Sequence, residues 1–284
     1  MTIAVTGASG QLGRLVVDAL KTRMKADEII ALVRDPGKLA DAGVAVRRFD
    51  YDDAMTLAPA LAGVDRLVFI SSSEIGKRIE QHRNVVTAAQ SAGVGRIIYT
   101  SVLNADASPL SVAQEHVPTE AALAGSGLPF TVLRNGWYTE NYMGAVAAAL
   151  EQGAFIGSSG EGKIASATRA DYAEALAVVA TTDGHGGKTY ELAGDEAWTR
   201  ADLAREASRQ TGRELPYHDM PEADYSAALI NAGLPEGFAR MLAGWEAGTV
   251  QGALFDDDRQ LSRLIGRPTT PLSVTLAETL RQAA

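Results

Sequence analysis

Three glycines set three apart, Gly7, Gly10 and Gly13, follow the β-branched run Thr2-Ile-Ala-Val-Thr6 and precede an amphipathic stretch opening at about Gln11. Strand, glycine-rich turn and helix in that order form the start of a dinucleotide-binding βαβ unit. Gly7 allows a tight turn, Gly10 lets the backbone approach a pyrophosphate, and Gly13 lets the helix lie close to the strand. The helix start offers unpaired N–H groups and the positive end of its dipole to phosphates. Thr6, Gly7, Ala8, Ser9, Gly10, Gln11, Leu12 and Gly13 are therefore cofactor-binding candidates. Glycines also serve plain turns, but the position between strand and helix favours the cofactor.

The end of the second strand of such a unit distinguishes the two nicotinamide dinucleotides. Here it reads Ala31-Leu-Val-Arg34-Asp35-Pro36. Arg34 comes first and suits a 2′-phosphate, whereas Asp35 precedes a proline and reads as a turn residue. This favours NADP(H) over NAD(H); the plain alternative for Arg34 is a solvated charge at a strand end. Asp50 and Tyr51 end the third strand, where Asp50 could bond an adenine amino group or form a turn with Asp52 and Asp53. Ser71, Ser72 and Ser73 follow the fourth strand and could bond a ribose or cap the next helix.

The proton donor of ordinary short-chain dehydrogenases is a tyrosine followed four residues later by a lysine that lowers its pKa. None of the eight tyrosines here has that partner. On the corresponding helix the spacing is held by His116 and Glu120. His116 could donate a proton or hydrogen bond, but the favoured reading is an i,i+4 pair without chemistry. His82 lies early on the helix after the serines and is expected to face the pocket. His185 sits in a glycine-rich surface turn and His218 in a polar stretch. No two histidines have metal-ligand spacing, so no metal site is expected. Beyond the sixth strand, Leu133-Arg-Asn135-Gly136-Trp137-Tyr138-Thr139-Glu140-Asn141-Tyr142-Met143 joins aromatic faces to polar groups, which suits a flat nicotinamide or acceptor. Arg169 could reach a cofactor phosphate or pair with Asp171.

Placing these residues requires a parallel sheet. Strands are expected at 2–6, 29–33, 44–49, 66–71, 96–101 and 130–134, alternating with helices at 11–24, 54–61, 77–92 and 112–125. The runs Ile29–Val33 and Arg66–Ile70 are nearly continuous in apolar residues, as in strands buried on both faces. Ala62-Gly63, Ala92-Gly93 and Ser126-Gly127 carry helix stop signals. Beyond 135 a helix is expected at 139–151, a loop at 157–162, a helix at 170–181 and a strand at 189–192. Thr199 reads as an N-cap for a helix ended by Gly212, and further helices follow at 222–232, 236–247, 257–264 and 271–282. The fold class is α/β, a Rossmann-type doubly wound parallel sheet with a smaller, mostly helical C-terminal substrate lobe. Residues 1–150 are assigned to the dinucleotide-binding domain, with return segments near 164–193, and residues 194–284 to the lobe.

The 284 residues are 46% apolar and 21% charged, enough for a packed core. The absence of cysteine excludes disulfides and thiol chemistry. A net charge of −9 without a basic cluster argues against nucleic acid. No apolar run approaches the ~20 residues of a membrane span, and no signal peptide opens the chain, so a cytoplasmic location is expected. A homo-oligomer remains open.

Gly7-Ala-Ser-Gly10-Gln-Leu-Gly13, Ser71-Ser-Ser-Glu74-Ile-Gly76, Gln81-His-Arg-Asn84-Val-Val, the 133–142 stretch, Lys163-Ile-Ala-Ser-Ala-Thr-Arg169-Ala-Asp-Tyr172, Tyr190-Glu-Leu-Ala-Gly194 and Leu264-Ile-Gly266 together resemble the NmrA-like atypical short-chain dehydrogenases. Within them the likeness is to the bacterial NADPH-dependent quinone oxidoreductases, with triphenylmethane-dye reductases as near relatives, and it covers essentially the whole chain. The resemblance implies NADPH along Gly7–Gly13 and Arg34, with Ser73, Gln81, Tyr138–Met143 and Arg169 bordering cofactor or substrate. It also implies flavin-free hydride transfer to quinones, and the family likewise lacks the Tyr-Lys pair. The candidate donors to an acceptor oxygen are Tyr138, Asn141 and Tyr142, with His82 and His116 behind them. The alternatives are a dinucleotide-binding sensor without turnover and a dye reductase.

Overall fold

The structure is a computed structural model and describes residues 1–39 and 41–283. Its strands are β1 (Ile3–Val5), β2 (Ile29–Val33), β3 (Ala45–Arg48), β4 (Arg66–Phe69), β5 (Arg96–Val102), β6 (Phe130–Asn135), β7 (Phe155–Gly157), β8 (Thr189–Leu192) and β9 (Tyr217–Asp219). Seven form one sheet in the order β3-β2-β1-β4-β5-β6-β8, every pairing parallel. The chain winds outward from β1 in one direction and from β4 in the other. A crevice therefore opens between the loops after β1 and β4, at the C-terminal edge where ligands bind in such sheets.

The helices are α1 (Gln11–Lys21), α2 (Ala54–Ala60), α3 (Arg78–Ala92), α4 (Ala113–Gly125), α5 (Met143–Gln152), α6 (Arg169–Thr181), α7 (Arg200–Thr211), α8 (Glu222–Asn231), α9 (Glu236–Thr249), α10 (Gln260–Ile265) and α11 (Leu272–Ala283). Alternate strand residues serve opposite faces of the sheet. Ile3, Val5, Ile29, Ala31 and Val33 pack under α1, α6 and α10, whereas Ala4, Ile30, Leu32, Leu67 and Phe69 pack with α2 and α3. This two-sided burial explains the continuous apolar runs in the sequence. Residues 164–193 supply α6 to one face and β8 to the sheet edge.

A second core joins Tyr142, Val146, Phe155, Trp198, Leu203 and Leu276, under α5, α7 and α11. Capping boxes start α6 (Thr168 with Asp171) and α7 (Thr199 with Asp202), and Gly212 ends α7 in the left-handed region. Three features differ from expectation. The helix expected from 139 opens as a 3-10 turn over Thr139–Tyr142 and becomes α5 only at Met143. The segments around 157 and 218 form the short parallel pair β7–β9, because three-residue strands are too short to show a period. The helix expected from 257 starts at Gln260. The Asp258 N–H donates to Asp256 Oδ1, and Arg259 stands at φ 53° before the first helical turn. Among the described residues no helix is long and apolar enough to cross a membrane.

Gly13 is a point of close backbone approach in this frame. A Cβ there would run into the Gly7 carbonyl and the Ala8 Cα, both backbone atoms with little room to move. Gly13→Ala should therefore lower the melting temperature by about 3–10 °C, the cost of an overpacked site in a chain of this size. Gly144→Ala, in a helix where a Cβ meets nothing within 4 Å, should leave it unchanged or raise it slightly. Equal melting temperatures for the two variants would contradict the close approach.

Candidate active site

The cradle at the crevice is built of backbone. Gly7 turns the chain at φ +58°, and Gly10 is the N-cap of α1 with no side-chain cap and no acidic residue in the first turn. The first N–H groups of the helix thus remain for an anion. Ser9, Gly10 and Gln11 are open to the crevice, whereas Ala8, Leu12 and Gly13 are buried beneath. Thr6 and Tyr51 spend their polar atoms on structure. The Tyr51 hydroxyl lies 2.6 Å from Thr6 Oγ1 and 2.8 Å from the Ile70 carbonyl, and Thr6 Oγ1 accepts from the Ile70 N–H. These bonds tie the ends of β1 and β4 to the segment that follows β3. Burial raises the Tyr51 pKa, so the phenol stays protonated. Asp50 accepts from the Asp52 N–H in a local turn, and Asp35 does the same for Gly37.

Arg34 is two-thirds exposed and pairs with Glu74 at 2.8 Å. Ser71 donates its N–H to Thr100. Ser72 is buried, and its hydroxyl accepts from the Glu74 N–H; Ser73 is exposed. None of these serine side chains caps α3. Gln81 reaches from α3 to Asp52 at 3.0 Å.

The two candidate histidines face inward. His82 is fully buried and His116 is 4% exposed. His82 Nε2 accepts from the Ser72 N–H, so its proton sits on Nδ1, 2.8 Å from Thr119 Oγ1. Tyr99 places its hydroxyl 2.7 Å from His116 Nδ1. Burial raises the Tyr99 pKa, so the phenol stays protonated and shares one hydrogen bond with His116 Nδ1. Burial holds both imidazoles near pKa 3. The expected orientation of His82 toward the pocket is thus corrected. The spacing 78, 82, 85, 89 puts it on the helix face that carries Val85 and Ala89 into the core. The expected His116–Glu120 pair is also absent, because Glu120 grips Arg134 at 2.7 and 3.0 Å and accepts from Ser101.

The aromatic stretch after β6 is held from three sides. The Arg169 guanidinium lies 4.4 Å from the Tyr138 ring centre, donates to Asn141 Oδ1 at 2.7 Å and pairs with Glu140. The alternative partner, Asp171, instead caps α6 and pairs with Arg267. Trp137 packs edge-on against Trp245, and Tyr142 against Trp198. Trp198 donates to Ser166, which shares a bond with Thr139. Met143 opens α5 from a buried position. The Asn135 amide is buried at the sheet edge beside Gly136, and both its polar atoms lack partners among the described residues. Such an orphan amide fits a polar ligand group.

Trp137, Asn141 and Tyr142 also line a cavity of ≈ 670 Å³ that is closed on the lobe side by Tyr225, Leu229 and Trp245. Its size suits a small flat ligand. Beneath it lies the buried Arg200, 3.4 Å from Glu246 and bonded to the Ile156 carbonyl. Arg78, buried beside Ser72 and 3.6 Å from Glu115, is a second such cation. Sequence reading passed over all four; Arg78 and Glu115 flank motifs it had marked, whereas nothing local distinguishes Arg200 or Glu246. Among the described residues no cluster of His, Asp and Glu can hold a metal.

The residues present fit a nicotinamide dinucleotide: an uncapped helix start, a close glycine cradle, and an orphan amide further along the same edge. A family model described as NAD(P)H-binding matches residues 7–183. The chain belongs to this NAD(P)H-binding family. This family member is 54% identical over 278 residues to quinone oxidoreductase 2 of Escherichia coli K12, covering 97% of each chain. It matches the crystal structure of E. coli NADPH-dependent quinone oxidoreductase 2 complexed with NADPH at TM-score 0.96 and 53% identity, covering 98% of this chain and all of that one. Citrobacter sp. triphenylmethane reductase complexed with NADP(H) matches at TM-score 0.93 and 39% identity, each chain covered in full. The likeness to NmrA-like quinone oxidoreductases and the Rossmann-type sheet, both expected from the sequence, are thereby established.

The buried histidines make stability depend on pH. Above pH 6.5 both are neutral folded and unfolded. Below it, the unfolded chain takes protons that the folded chain refuses until about pH 3, so stability falls by about 1.4 kcal/mol per pH unit for each histidine. Melting curves from pH 7 to pH 5 should show a smaller decline for His116→Gln than for the wild type. Parallel declines would contradict the depressed pKa.

Proposed function

We propose that this protein is an NADPH-dependent reductase of quinones and similar flat, electron-poor acceptors, including dyes, working without flavin. The observation that carries the reading is the shared wall. The stretch Trp137–Tyr142 borders both the ligand edge of the sheet and the ≈ 670 Å³ cavity, so one loop can position donor and acceptor. Bound NADPH supplies a hydride from its nicotinamide ring. The α1 start and the Gly7–Gly13 backbone hold the pyrophosphate, and Arg34 serves the 2′-phosphate. Asn135 offers its amide to the nicotinamide end. Trp137 and Trp245 confine the acceptor ring, and Arg169 fixes Tyr138 and Asn141 so that their polar atoms keep a constant place.

The residues argue against an acid catalyst. A general acid works best with a pKa near the operating pH, and His116 is held near 3. The neutral imidazole, oriented by Tyr99, can form hydrogen bonds but carries no extra proton to release near neutral pH. Burial also raises the Tyr138 phenol, and no lysine follows it to reverse that. A quinone is electrophilic enough to accept a hydride through placement alone, and its reduced form takes a proton from solvent. On this reading residues 1–150 with the 164–193 return segments carry the cofactor and 194–284 cover the acceptor, in a cytoplasmic enzyme.

The test is NADPH oxidation with a panel of quinones and dyes, followed at the nicotinamide absorbance band. Turnover is expected with quinones, with no flavin spectrum in the purified protein. Tyr138→Ala should reduce kcat/KM more than His116→Ala, whose loss should stay below the ~100-fold typical of a lost general acid. Tight NADPH binding without turnover would instead indicate a sensor. A stoichiometric flavin, or robust reduction of aliphatic ketones, would overturn the mechanism.

A further inference from the structure

Arg34 does not stand free at the adenosine end of the crevice. Glu74 takes its Nη1 at 2.8 Å, and the same carboxylate takes Lys77 Nζ at 3.1 Å and lies 3.4 Å from Gln81 Nε2. Arg34 follows β2 and Glu74 follows the serines after β4, while β1 and its glycine-rich turn lie between them in the sheet. Strands are about 4.8 Å apart, so the pair reaches across two spacings and spans the crevice. Gln81 also bonds Asp52 at 3.0 Å, and Lys77 lies 3.7 Å from that carboxylate, which ties this cluster to the end of β3. One carboxylate holding two cations reproduces what a phosphate monoester would require of them.

We infer that Glu74 is an internal stand-in for the cofactor 2′-phosphate, and that it sets how strongly the protein prefers NADPH over NADH. The inference rests on the cofactor reading above. Arg34 is two-thirds exposed, so its pair with Glu74 is screened and readily exchanged. A phosphate monoester carries nearly two charges and three acceptor oxygens, enough for charge-assisted bonds to both Arg34 and Lys77. The displaced carboxylate stays close, on a loop anchored through Ser72, and repels the phosphate that replaced it. NADH brings nothing to displace. With it the Arg34–Glu74 pair stays closed. Glu74 therefore penalises NADPH and spares NADH.

Equilibrium titration of the full chain with NADPH and with NADH, followed by nicotinamide fluorescence, tests this without turnover. Glu74→Gln should tighten NADPH relative to NADH by about five-fold, the upper range for one exposed charge pair. Competition by 2′,5′-ADP should strengthen to match, while 5′-ADP, which lacks the 2′-phosphate, should not change. Glu74→Ala should act in the same direction, and NADH affinity reports whether either variant is folded. In an Arg34→Ala background the gain should shrink by more than half, since the two residues act through one contact. An unchanged NADPH:NADH ratio in both Glu74 variants, or a gain of full size without Arg34, would overturn the inference. Failure of the wild type to bind either nucleotide would overturn the cofactor reading itself.

Discussion

At Gly13 the backbone of α1 lies so close to the turn after β1 that a single methyl group would meet the Gly7 carbonyl and the Ala8 Cα. That approach fixes where the helix begins. Gly7, at φ +58°, sends the chain back over the strand, and Gly10 then starts the helix with its N–H groups facing the crevice. The loops after β2 and β4 flank this turn because β1 lies between those strands. The Tyr51 hydroxyl, against Thr6 and the Ile70 carbonyl, locks the three strand ends together. An anion at this edge thus meets a rigid surface that needs no reorganisation, which is how a glycine-rich turn gains affinity.

The other half of the edge is held by charge. Arg134, at the end of β6, engages Glu120 on α4, Glu191 on β8 and Asp106 in the loop after β5. The Glu120 side-chain bond raises its pKa, so the guanidinium is a permanent cation. This hub withdraws Glu120 from His116 and leaves the imidazole to Tyr99. The helix position that carries the proton donor in ordinary short-chain dehydrogenases is therefore held by a buried imidazole bonded to Tyr99. Buried polar chains of this kind specify one arrangement of a core.

What the sequence disclosed follows the same division. The strands from Ile29 and Arg66, the glycine turn and the Thr199 cap were legible because burial on two faces, backbone geometry and capping are local properties. The partners of Arg169, Glu120 and Arg34 were not, since each lies on a different element and is chosen by the tertiary fold. Asp171 is two residues from Arg169, yet its oxygens go to Thr168, Thr270 and Arg267. His82 is intermediate. Its placement on the Arg78–Val85–Ala89 face of α3 was available from helical spacing, but polarity suggested the pocket. The short β7–β9 pair left no trace, because its strands have too few residues for alternation to appear.

A net charge of −9 and a polyanionic cofactor are compatible only if attraction is local. At an ionic strength of ~0.15 M charges separated by more than ~8 Å are largely screened, so most of the acidic residues have no influence on a phosphate in the crevice. The positive groups at that edge are the uncapped start of α1, Arg34 and Lys77. Arg14 and Lys38 lie alongside: Arg14 donates to the Ser9 and Lys38 carbonyls and so holds the outer wall of the turn. Glu74 and Asp52 oppose them and are both already engaged by basic or amide groups. On the proposed reading, affinity for the dinucleotide rests on a few charges around one turn of helix rather than on the net charge of the chain.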